Sequence, residues 1–95
     1  MAEYYIVCVE RRNSPYITAV GTGSNPGRPD RFWSVEEVQR AIKIGHRFFT
    51  VSPSTGRKAS VFPDEVYSHG QRIQTLRSGT DAIQDNNLNS VRLCG

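Results

Sequence analysis

The sequence is poor in the residues that most often carry chemistry: two cysteines, two histidines and one tryptophan in 95 residues. Cys8 and Cys94 stand near opposite ends, and neither has a second cysteine or a histidine at ligand spacing, so local motifs build no zinc site. A lone pair so widely separated reads as two reduced thiols, with Cys8 buried and unreactive and Cys94 open to modification. No Gly-Lys-Ser/Thr occurs in the chain, which excludes a Walker A loop. No apolar run approaches the roughly 18 residues that a membrane helix needs, and the first residues lack the basic-then-apolar pattern of a signal peptide. A cytoplasmic protein without a membrane partner is expected. Lysine is scarce as well. The net charge of +3 rests on ten arginines against two lysines, and the guanidinium forks onto phosphate and carboxylate, so an anionic partner fits the balance.

What is present points to one small α+β domain over residues 1–95, with a long loop at 21–33 and a polar segment at 78–95. Tyr4 to Val9 is β-branched and aromatic without polar alternation, as in a strand covered on both faces. Arg11-Arg12-Asn13-Ser14-Pro15 breaks it, and Tyr16 to Thr22 reads as a second strand paired with the first. The best-signalled element is a helix over Ser34 to Ile44. Ser34 is a favoured N-cap with Glu37 at the capping-box spacing, Val35, Val38, Ala41 and Ile42 share one face, and Gly45 is placed to end it. His46 to Ser52 and Arg57 to Phe62 read as strands joined by Pro53-Ser54-Thr55-Gly56, with Pro63-Asp64-Glu65 as a stop, and Gln71 to Arg77 as a last strand. The expectation is a curved antiparallel sheet of four or five strands with one amphipathic helix on one face, in the order β-β-α-β-β-β. Val35, Val38 and Ile42 should then face Ile6, Val20, Phe49 and Val61.

The glycines of Gly21-Thr22-Gly23-Ser24-Asn25-Pro26-Gly27 follow an apolar run, as a phosphate-cradling loop would. Such a loop needs its helix to start within the glycine motif, because the helix N-terminus receives the phosphate. Here the helix starts no earlier than Ser34, and Pro26 and Pro29 intervene. The stretch therefore reads as a connection, and no cofactor is expected. The two histidines gather no nucleophile and carboxylate around them: His46 suits a helix end, and His69 in Tyr67-Ser68-His69-Gly70 suits an exposed turn. The carboxylates serve capping, pairing and turns. No enzymatic activity is expected, and no metal site.

Ile17-Thr18-Ala19-Val20, then Trp33-Ser34-Val35-Glu36-Glu37-Val38 with Ala41-Ile42 and Gly45, then Phe48-Phe49-Thr50-Val51, Thr75-Leu76-Arg77-Ser78 and Asp85-Asn86-Asn87-Leu88 follow one another in this order. The pattern resembles a small bacterial and phage-associated group known as domain-of-unknown-function family 3892, over most of the chain from about Tyr5 to Leu93. The resemblance implies a compact α+β domain, usually alone, and brings no catalytic residues.

Two function classes follow. The first is a non-catalytic interaction module acting on an unknown protein partner, an accessory or inhibitory protein of the sort that the phage association suggests. The alternative is weak nucleic-acid binding. Both draw on one basic and aromatic group, Arg28, Arg31, Phe32, Trp33, Arg40, Lys43 and Arg47, carried on one loop and one helix. Glu36 and Glu37 on the first helical turn oppose phosphate there.

Overall fold

A computed structural model describes residues 2–12, 15–24, 28–51, 56–79, 88 and 91–94. It contains the strands β1 (Glu3–Glu10), β2 (Ala19–Thr22), β3 (Arg31–Ser34), β4 (Arg47–Val51), β5 (Lys58–Ser68) and β6 (Gln71–Ser78), and the helix α1 (Val35–Lys43) between β3 and β4. The strands form one sheet in the order β3-β2-β1-β4-β5-β6. The α+β class holds with two corrections. Six strands are formed among the described residues rather than four or five, giving β-β-β-α-β-β-β, and the sheet is mixed, because β1 and β4 run parallel from Glu3 beside Arg47 to Ile6 beside Thr50.

The extra strand is β3, which lies inside the segment expected to be a loop. Gly21 and Thr22 belong to β2, and Arg31 to Ser34 pair with them antiparallel, so the connection shrinks to residues 23–30, of which 25–27 lie outside the described residues. The strand is only four residues long and runs straight into the helix, which hid it behind the capping signal. That signal itself is borne out. Ser34 Oγ accepts from the Glu37 amide at 3.1 Å, and Glu37 Oε1 accepts from the Ser34 amide at 2.9 Å, closing the box. Gly45 ends the helix with φ 109°, a conformation that side-chain-bearing residues rarely adopt.

The helix buries Val35, Val38 and Ala41 against Ile6, Val9, Val20, Phe48, Val61 and Leu76, with Ile42 half-buried at the margin. Phe49 departs from expectation. Phe48 and Phe49 are consecutive in a strand and must point to opposite faces, so Phe48 joins the core under the helix and Phe49 lies on the outer face beside Tyr5, with ring centroids 5.9 Å apart. Pro63 does not stop β5 either. The Gly79 amide donates to the Ser60 carbonyl, which sets the alternation so that Pro63 turns its nitrogen away from β6. The other neighbour, β4, starts only at Arg47 and leaves that side of Pro63 without a ladder to break. The hairpin closes through His69 at φ 51° and Gly70 at φ 75°, the turn expected there.

The thiol expectation is corrected: Cys8 and Cys94 form a disulfide across 86 positions of sequence. Two features of the backbone bring them together. The β1–β2 register shifts between Ile6 and Cys8, a bulge that leaves Val9 in the core and turns Cys8 to the outer face. Residues 92–94 then lie along β1 in parallel, with the Val9 amide donating to the Arg92 carbonyl and the Cys94 amide to the Val9 carbonyl, both at 2.9 Å. Leu88, at 1 % exposure, belongs to the core.

Candidate functional site

The residues expected to form one basic and aromatic surface separate onto different parts of the fold. Arg31, Trp33 and Arg40 come together. Phe32 and Arg47 alternate with Trp33 and Phe48 along their strands and so belong to the outer face, while Lys43 is exposed on the helix and Arg28 is exposed just before β3. A continuous stripe along loop and helix is not formed.

The group that does assemble lines a cleft of about 260 Å³ between β1, β3, α1 and the residues that join α1 to β4. It is lined by the buried Trp33 and Ala41, the half-buried Tyr4 and the exposed Ile44, with Arg31, Arg40, Glu37 and His46 at its rim. Trp33 is fixed on three sides. Its indole Nε1 donates to Thr22 Oγ1 at 2.9 Å, Tyr4 and Phe48 meet it edge-on with centroids at 4.9 and 5.0 Å, and the Arg31 guanidinium lies 3.6 Å above the ring. Stacking, and not a carboxylate within contact distance among the described residues, holds Arg31 in place. Arg40 reaches Glu36 at 3.3 Å, with both side chains more than two-thirds exposed, a pairing that water screens. His46 Nδ1 accepts from the Ala2 amide at 3.1 Å, so in the neutral ring Nε2 carries the proton. The Glu37 carboxyl is held below its ordinary value of 4.5, first by the hydrogen bond from the Ser34 amide, and further by the Ser34 hydroxyl side and the charges of Arg31 and Arg40.

A second surface was not anticipated. The helix covers one face of the sheet, and on the other Tyr5, Phe32, Val51 and Phe62 are each exposed by more than a third. Cations lie among them: Lys58 Nζ is 4.4 Å from the Phe49 ring centroid and 3.6 Å from Glu3, and the Arg77 guanidinium is 5.4 Å from the centre of Phe62. The sequence did carry a signal for this face. Tyr4-Tyr5 and Phe48-Phe49 are adjacent aromatic pairs in strands, which place one ring on each side, and a single helix can cover only one side.

Among the described residues no three metal-ligating side chains gather, and no helix is long and apolar enough to cross a membrane. No family model, curated protein or solved structure matches this chain.

Proposed function

We propose that this chain is a non-catalytic protein-interaction module that docks through the outer face of its sheet. The observation that carries the reading is that Tyr5, Phe32, Val51 and Phe62 are exposed on a face that the helix leaves uncovered. Aromatic side chains beside arginine are the composition of interface centres. The chemistry of the face favours a protein over a nucleic acid. Lys58 and Arg77 already sit near the rings of Phe49 and Phe62, where a base would stack, and Glu3 holds Lys58 on the same face. The partner that fits is a surface of apolar side chains with carboxylates at its margin, facing Lys58 and Arg77. The accessory or inhibitory role suggested by the family resemblance is compatible with such a contact. A partner met in the cytoplasm would meet a chain whose Cys8–Cys94 bond is exposed to reduction; one met in oxidising surroundings would meet the bonded form.

Site-specific photo-crosslinking in cells tests this. A benzophenone side chain replacing Phe32 or Phe62 is expected to give a discrete protein adduct, and one replacing Lys43 on the helix is expected to give none. Adducts to nucleic acid at Phe32 and Phe62, or equal protein labelling at Lys43, would refute the assignment.

A further inference from the structure

The cleft on the opposite side of the sheet has the composition of a receptor for one negative charge on an apolar stem. We propose that it binds a carboxylate, with the oxyanion between Arg31 and Arg40 and the attached apolar group over Tyr4, Ala41 and Ile44. This does not rest on the docking role of the outer face.

Three features of the site carry the proposal. The Arg31 guanidinium carbon lies 3.6 Å from the centre of the Trp33 ring, and among the described residues no carboxylate is within ion-pair distance of its N–H groups. A planar guanidinium fixed in this way loses little freedom on receiving a carboxylate in a two-point contact. The Arg40 pairing with Glu36 is exposed and weak, and Arg40 can exchange it for a ligand in the cleft. The charge of the rim sets the size of the anion. Apart from His46, the rim carries two positive charges, Arg31 and Arg40, and one negative, Glu37, which its capping bonds keep in place, while Glu36 beside the rim neutralises Arg40 through their exposed pair. Once Arg40 turns from Glu36 to the ligand, one net positive charge faces the cleft, which suits a monoanion. It suits a phosphate dianion poorly, since Glu37 would repel the second charge. The lining of aromatic and aliphatic side chains then selects a carboxylate with a hydrocarbon body over a bare ion.

Such a group has two protein sources, a chain terminus and an acidic side chain, and small probes separate them. Trp33 is the sole tryptophan, and its indole N–H gives one resonance in a two-dimensional NMR spectrum, directly beside the site. Titration with N-acetylleucine stands for a terminus, and with N-acetylglutamic acid α-amide for a side chain. At least one should move the Trp33 resonance saturably, with a Kd on the order of 1 mM, as one charge-assisted contact with partial apolar burial provides. The neutral N-acetylleucine amide should bind about tenfold more weakly or worse, and Arg31→Met, which keeps a stem over the indole, should lower the affinity of the carboxylate by about the same factor. Retention of a dispersed Trp33 resonance shows that this variant is folded. A response to the amide equal to that of the acid, inorganic phosphate binding more tightly than either carboxylate, undiminished binding by the Arg31→Met variant, or no saturable shift at all would each overturn the assignment. Every one of these outcomes leaves the crosslinking result at the outer face unaffected.

Discussion

Cys8 and Gly21 face each other across the β1–β2 pair, and a Cβ added at Gly21 would lie 2.6 Å from the Cys8 sulfur and 2.9 Å from Pro29 Cβ. The glycine is required by this close approach and not by a backbone conformation or a bound phosphate. Gly21→Ala is expected to lower stability by about 1 to 3 kcal/mol, the usual range for overpacking. With Cys8→Ala and Cys94→Ala in the background the same change should cost less, because one of its two collisions is gone. Chemical denaturation of the four proteins in a double-mutant cycle checks this; strict additivity would mean that Gly21 does not accommodate the sulfur.

The disulfide itself closes a loop of 86 positions. On the chain-entropy account such a loop stabilises the folded state by about 4 to 5 kcal/mol. Equilibrium unfolding with and without a thiol reductant should show a loss of that order, and mass spectrometry of the non-reduced protein should find the Cys8–Cys94 peptide pair. Free thiols in the purified, unreduced protein would contradict the bond.

In the core, Phe48 is 1 % exposed and packs against Tyr4 and Trp33. Phe48→Ala is expected to cost about 3 to 5 kcal/mol. Ile42, at the margin of the same core, should lose distinctly less on truncation to Ala. Thermal melts that rank the two in the opposite order would show that the helix is seated differently.

The capping box predicts a pH dependence. The Glu37 carboxyl is depressed below 4.5, chiefly by the Ser34 amide. A carboxyl whose folded pKa is lowered stabilises the fold above its unfolded pKa, and this contribution is lost as pH falls through the folded value. The melting temperature should therefore drop between pH 6 and pH 3 by more in the wild type than in Glu37→Gln, which cannot titrate. Identical drops would remove Glu37 from the acid response.

Local chemistry was legible in the sequence wherever neighbours in the chain decide the outcome. Ser34 and Glu37 are three residues apart and found each other, and the apolar spacing from Val35 to Ala41 identified the buried helical face. What escaped depends on partners distant in sequence. The strand nature of Arg31 to Ser34 comes from pairing with Ala19 to Thr22. The disulfide depends on a bulge at one residue and on a parallel contact between Val9 and Leu93 that no local pattern encodes. Of the seven residues expected to form one surface, Arg31, Trp33 and Arg40 converge because β3 enters α1 directly; Phe32 is sent to the other face by the two-residue alternation of the same strand.

The position of β1 has a consequence for the order of events during synthesis. β1 lies inside the sheet, with β2 on one side and β4 followed by residues 92–94 on the other. A strand made early thus keeps part of its backbone, that of Val9, unpaired until residues 92–94 have left the ribosome. Nascent chains stalled just before Val91 should be cut by protease within β1 far faster than chains stalled well beyond Cys94, and the protective step should coincide with the emergence of the segment that bonds to Val9.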